Sequence, residues 1–223
     1  MPAPAPERLR VGVTGHRWNQ LPEAARPALA AAVESALVAI GDSARAAGHP
    51  FSRLALISGL AEGADRIAAQ AALKVGWRLD ASTPFALARY VRDFGDAASV
   101  AEFHRLWAAA ARRRVIDGEA LQANDDDPAP YAALARSLAA DADALIAVWN
   151  GKPPAGAGGT AEVAALSVEA GKPVVWISPD GTAARLINPA TPSRPHRFRA
   201  RWLAALAERF PVIAPPSEMR RAA

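Results

Sequence analysis

Apolar residues along the chain alternate between two patterns. Short, nearly continuous apolar runs give way to longer stretches in which apolar positions recur every three or four residues. The first run, 9–14, ends at Gly15, and a helical stretch over 22–47 follows, with Leu29, Val33, Leu37 and Ile40 on one face. A second run, 54–58, leads into Gly59 and a helix over 63–75, and a third, 77–82, stops at Pro84. The middle predicts helices over 87–94 and 98–113, a strand over 115–120, a loop over 122–130 and a helix over 131–142. An apolar strand over 144–149, a Gly/Pro-rich loop over 150–159, a helix over 160–170 and an apolar strand over 173–178 complete the alternation. A last amphipathic helix carries Phe198, Trp202, Leu206 and Phe210, a stripe expected to pack on the domain or on a second subunit. Continuous apolar strands alternating with helices predict an α/β fold: a Rossmann-like, doubly wound, mostly parallel sheet with helices on both faces.

The 223 residues are 51% hydrophobic and 22% charged, which fits one globular domain, placed at 8–213 with flexible termini over 1–7 and 214–223. The chain has no Cys, which excludes disulfides, thiolate metal sites and cysteine nucleophiles. The start of the chain lacks the basic and apolar blocks of a signal peptide, and no apolar run approaches the length of a membrane span. A cytoplasmic protein with no membrane partner is expected. The formal net charge is +4, but the residues from Arg185 onward alone contribute +6. The basic character therefore belongs to the C-terminal part, read as a solvated Arg-rich tail or as a contact for an acidic partner.

In an open parallel sheet, ligands sit beyond the carboxyl ends of the strands, where the strand order reverses. Three loops there combine Gly with hydroxyl or charged residues. They are Thr14-Gly15-His16-Arg17-Trp18, then Ser58-Gly59-Leu60-Ala61-Glu62-Gly63-Ala64-Asp65-Arg66, and finally Asn150-Gly151 followed by Gly158-Gly159-Thr160-Ala161-Glu162. Glycines let the backbone approach an anion, and the N–H groups at a helix start donate to it. Ser58 and Thr160 offer hydroxyls, and Arg17 and Arg66 offer guanidinium forks for a phosphate. The chain has neither the G-x-x-x-x-G-K-[ST] phosphate loop nor a G-x-G-x-x-G after the first strand, which argues against an ordinary ATPase or NAD dehydrogenase.

These blocks resemble the SLOG superfamily, the Rossmann-like group that joins DNA-processing protein A and the Lonely Guy phosphoribohydrolases. Gly12-Val13-Thr14-Gly15-His16-Arg17 is similar to the superfamily at large, Ser58 to Asp65 to its DNA-processing branch, and Gly158-Gly159-Thr160-Ala161-Glu162 to its Lonely Guy branch. The resemblance spans about Arg8 to Ser178 and implies a site for nucleotides or their derivatives. It also implies two activities. One is binding or sensing of a phosphate-bearing ligand, with a separate effector protein supplying the output. The other is hydrolysis of the N-glycosidic bond of a nucleoside 5'-monophosphate, with Glu162 and Arg66 as catalytic residues. Position 163, three beyond Thr160, holds Val where the Lonely Guy pattern has Glu, so Glu162 lies one residue early, about 100° round a helix.

The ligand-binding set is thus Thr14, Gly15, His16, Arg17, Ser58, Glu62, Gly59, Gly63, Asp65, Asn150, Gly158, Gly159 and Thr160. No bound cofactor and no metal are expected, because His49, His104 and His196 are scattered and the spacing of Asp125, Asp126 and Asp127 matches no calcium loop. Trp18 and Trp149 are candidates to stack on a base, with core packing the favoured fate of Trp149. Phe85 is placed either at the pocket or over the core. A homo-oligomer is expected. A DNA-binding module is the weakest reading, since the chain before Arg185 is net acidic and nucleic acid demands a basic face.

Overall fold

The computed structural model describes residues 8–50, 53–116, 128–152, 159–187 and 197–215. Strands β1 (Leu9–Gly15), β2 (Leu54–Ser58), β3 (Arg78–Thr83), β4 (Arg112–Val115), β5 (Ala144–Val148), β6 (Val174–Ile177), β7 (Ala184–Ile187) and β8 (Val212–Ile213) form one sheet. Its order is β4-β3-β2-β1-β5-β6-β7-β8. The six strands from β4 to β6 are parallel; β7 runs antiparallel to β6, and β8 runs parallel to β7. The sheet is Rossmann-like, and its order reverses between β1 and β5.

The helices are α1 (Arg26–Ala46), α2 (Ala64–Lys74), α3 (Leu87–Tyr90), α4 (Ala97–Ala109), α5 (Ala129–Asp141), α6 (Thr160–Glu169) and α7 (Arg197–Ala207). Alternate side chains of each central strand point to opposite faces. Val11 and Val13 of β1 and Ile146 and Val148 of β5 pack with α1, α2 and α7 in one core. Leu145 and Ala147 pack with α5 and α6 in the other. Both faces of β5 are therefore apolar, which is why its sequence shows no polar alternation.

Helix α1 lays Leu29, Val33, Leu37 and Ile40 on the sheet, each with no exposed surface. The stretch Glu23–Ala46 has the length and mean hydropathy, 1.3, to cross a membrane, which a search for continuous apolar runs does not detect. Its large apolar residues are instead used in the core. The stripe of α7 is spent in the same way: Phe198, Trp202, Leu206 and Phe210 are all buried, with α7 packed against α1. Burying each such side chain is worth roughly 2–3 kcal/mol.

The elements depart from the sequence pattern in two places. Arg112–Val115 is a strand, where the pattern extended a helix to 113 and began a strand at 115. An edge strand of three consecutive arginines has no apolar period to read, and charge on an edge opposes unwanted pairing. The short strands β7 and β8 were also unpredicted, because so few residues carry no usable periodicity. The loop at 122–127, His196, the termini at 1–7 and 216–223, and Gly158 lie outside the described residues.

Candidate functional site

Gly15 at the end of β1 stands opposite Val148 at the end of β5. Beyond them the chain departs to opposite faces, towards α1 from β1 and towards α6 from β5. A cavity of about 490 Å³ opens at this divergence, a volume typical of small-molecule sites.

Of the residues singled out by the sequence, Thr14, Gly15, His16, Arg17, Gly59, Asp65, Asn150, Gly159 and Thr160 line the cavity. The β1 loop is fixed at both ends: the His16 N–H donates to the Val148 carbonyl at 3.1 Å, and the Ala64 N–H donates to the His16 carbonyl at 3.1 Å. The Asn150 N–H donates to His16 Nε2 at 3.2 Å. Burial lowers the pKa of His16, against the raising effect of its bond with Asn150. With Nε2 accepting an N–H, the neutral ring carries its proton on Nδ1. Helix α6 starts at Thr160 after Gly159, and no side chain caps that start. Its first N–H groups therefore face the cavity end of the helix, where the dipole favours an anion.

Arg17 and Lys152 bring positive charge to the lining. Burial works against the Arg17 cation, but Tyr90, Tyr131 and Asp93 outweigh it and hold its pKa above the usual value. The Arg17 guanidinium lies 6.0 Å from the Tyr131 ring centre. Apolar lining comes from Val13 of β1 and from Leu134, Ala135 and Leu138 of α5.

Asp65 is the buried acid of the site. Burial pushes its carboxyl up to about 7, against the lowering effects of the Ala61 N–H, Arg17, the Gly59 N–H and Arg66. The loop around it is held together by its own polar groups. The Leu60 N–H donates to Ser58 Oγ at 3.0 Å, Ser58 Oγ donates to the Asp65 carbonyl at 3.3 Å, and Arg66 Nε donates to the Leu60 carbonyl at 3.1 Å. Tyr90 donates from below to the Gly59 carbonyl at 3.0 Å.

Five sequence candidates do not line the cavity. Ser58 is fully buried, with its hydroxyl engaged inside the loop. Arg66 is also fully buried: its Nη1 donates to Ser99 O, Ser99 Oγ and Glu102 Oε2 at 2.8, 2.7 and 3.0 Å, and its guanidinium lies 4.4 Å from the Phe94 ring centre. Glu62 accepts the Gly95 N–H at 3.0 Å and the Ser99 hydroxyl, in a separate groove. Gly63 supports the loop from behind, and the half-buried Glu162 side chain is not among the lining groups. The spacing of these residues was right for a loop–helix start, but side-chain direction was not legible from it. Trp149 is core, with Nε1 donating to the Lys152 carbonyl at 2.8 Å, though one edge reaches the cavity. Phe85 is buried edge-on against Tyr131, and Trp18 lies under the Arg26 guanidinium at 4.5 Å.

The sequence reading missed Asn19, Gln20, Tyr90, Tyr131, Leu134, Leu138 and Lys152. Most come from α3 and α5, which topology alone carries to the site. One signal was present: the chain has two tyrosines, and both line the cavity. Among the described residues, no group of three His, Asp or Glu side chains is placed to hold a metal ion.

No protein-family model matches the chain, and neither does any curated protein. Solved structures do. DNA processing protein A (DprA) from Streptococcus pneumoniae superposes with a TM-score of 0.52 at 17% identity, over 96% of this chain and 61% of that one. The chain shares the Rossmann-like fold of that structure. It thus spans less than two thirds of that DprA chain. Two further matches are the molybdenum cofactor carrier protein of Chlamydomonas reinhardtii and the molybdenum cofactor binding protein of Rippkaea orientalis. The first has a TM-score of 0.40 and 20% identity over 77% of this chain and 78% of the other; the second has 0.41 and 14% over 96% and 94%.

Within this fold, the Ser58–Arg66 turn works as scaffold for Gly59 and Asp65. Arg66→Gln removes the donors to Glu102 and Ser99 and is expected to cost ~3 kcal/mol of stability. The cavity should keep its ligand affinity within about twofold, since the guanidinium points away from it. Urea denaturation and ligand titration check both halves; lost affinity at unchanged stability would place Arg66 in ligand contact instead.

Proposed function

We propose that the protein binds a phosphate-bearing, nucleotide-derived small molecule in the cavity between the ends of β1 and β5. The observation that carries this reading is the mixed lining of the cavity. The uncapped start of α6, Thr160, Arg17 and Lys152 suit a phosphate. Tyr131, Leu134 and Leu138 in the same lining suit the flat apolar face of a base. Asn150, Asn19 and Gln20 lie among the lining residues as partners for ribose hydroxyls. Binding would be passed on to a separate effector protein.

The test is a thermal shift with mono-, di- and cyclic nucleotides and with adenosine as the phosphate-free control. A ligand that binds the folded state at a hundred times its Kd adds ~2.7 kcal/mol of apparent stability. At least one phosphate-bearing nucleotide should raise the melting temperature, and adenosine should not. Arg17→Gln should weaken that ligand at least tenfold, from the loss of ~1.5–3 kcal/mol for a hydrogen bond to a charged group. No shift with any phosphate-bearing nucleotide would sink the reading.

A second reading is supported by Asp65. A carboxyl raised to about 7 at a cavity wall is suited to proton transfer near neutral pH. If the protein releases a base from a nucleoside 5'-monophosphate, Asp65, not Glu162, is the group placed to assist. Base release from AMP should then be lost in Asp65→Asn and retained in Glu162→Gln. Absence of release by the wild type leaves the binding role alone.

A further inference from the structure

The opposite end of the sheet carries a second concentration of charge. Arg8 precedes β1, Arg10 lies within it, Arg53 precedes β2 and Arg112 opens β4. Because these strands are parallel, all four residues emerge at the same edge. They line a cleft of about 450 Å³ together with Asp141 and Asp143. Along β1, Arg10 at this cleft and Thr14 at the first cavity are four residues apart, ~13 Å at ~3.3 Å per residue.

The two carboxylates in the lining are already engaged. Asp141 pairs with Arg114 at 2.6 Å, and Asp143 accepts the Arg10 backbone N–H at 2.9 Å. Lys172 and Arg199 add positive charge around Asp143. Among the described residues, Arg8 Nε is buried without a hydrogen-bond partner, and the Arg10 charge acts on Asp143. Four guanidinium groups against two carboxylates leave the lining net positive, and an anion between them offsets that charge.

We propose that this cleft is a second anion site, taking a compact small molecule with two or more linked phosphate groups. The lining is entirely charged, with no aromatic or aliphatic side chain to receive a base. Recognition there rests on charge and on the guanidinium fork, which matches phosphate oxygens two at a time. The site is independent of the nucleotide reading of the first cavity, and either can fail without the other.

The experiment is calorimetric titration of the full chain with tripolyphosphate, at low and at physiological salt. It compares the wild type, the Arg53→Gln/Arg112→Gln double variant and Arg17→Gln. Arg53 and Arg112 are exposed, so the double variant should fold as the wild type does, which circular dichroism verifies. One saturable event is expected on the wild type, weaker at higher salt. It should be at least tenfold weaker in the double variant and unchanged in Arg17→Gln. Absence of saturable binding overturns the proposal. So does binding lost in Arg17→Gln but kept in the double variant, or binding of a single-stranded oligonucleotide in place of tripolyphosphate.

Discussion

Gly63→Ala is expected to destabilise the protein by ~4 kcal/mol and to open the cavity loop. Gly63 has φ +95° and ψ −127°, a backbone conformation that side chains rarely tolerate. A Cβ there would also lie 2.4 Å from the His16 carbonyl oxygen and 2.9 Å from the Arg17 Cα. Backbone strain accounts for roughly 1–3 kcal/mol, and displacing the β1 loop for a similar amount. Gly48 supplies the control. Its φ is +93°, but a Cβ there would meet nothing within 4 Å. Gly48→Ala should therefore show the strain alone. Urea denaturation of both variants separates the two effects; equal losses would mean that contact with His16 and Arg17 contributes nothing. Because His16 and Arg17 line the cavity, Gly63→Ala should also weaken ligand binding, and Gly48→Ala should not.

Asp65 should make the stability of the ligand-free protein fall as pH rises from about 4 to about 7. Its carboxyl moves from an ordinary 3.8 to about 7 on folding, with burial as the main cause. Below pH 4 both states carry the proton, and no penalty arises. Between 4 and 7 the unfolded chain has released it and the folded chain has not, so each pH unit costs ~1.4 kcal/mol. Above 7 the loss is complete, at ~4 kcal/mol. His16 and His49, both lowered by burial, act in the opposite direction as pH falls through their range. The comparison that isolates Asp65 is therefore wild type against Asp65→Asn across pH 4.5 to 8. The variant changes stability by an amount that does not vary with pH, because an amide does not titrate and its NH2 replaces one of the two oxygens that face the Gly59 and Ala61 N–H groups. Relative to the wild type, it should then gain stability steadily with pH and level off above 7. A difference that stays flat with pH would mean that the carboxylate is ionised without penalty in the fold.

The α/β alternation was legible in the sequence because it follows from local chemistry. Ile146 and Val148 on one side with Leu145 and Ala147 on the other mark β5 as a strand covered on both faces, and Leu29, Val33, Leu37 and Ile40 mark a helix with one buried side. Gly15 and Gly59 marked strand ends and Gly159 the start of α6, so the general position of the cavity was also legible. The direction of each polar side chain was not. Ser58 and Arg66 have the composition of phosphate ligands, yet they serve the Leu60 turn and the Ser99–Glu102 contact. Strand β4 was hidden because three arginines become a strand only by pairing with β3. Tyr90, Tyr131 and Leu138 reach the cavity from helices far along the chain, and the four arginines of the opposite edge meet only because their strands are parallel and adjacent to one another or nearly so. Periodicity and glycine placement are properties of neighbours in sequence, and the chain determines them by itself. Which polar groups satisfy each other, and which are left facing a cavity, depends on long-range packing that removes some of them from water, and only the tertiary structure decides that.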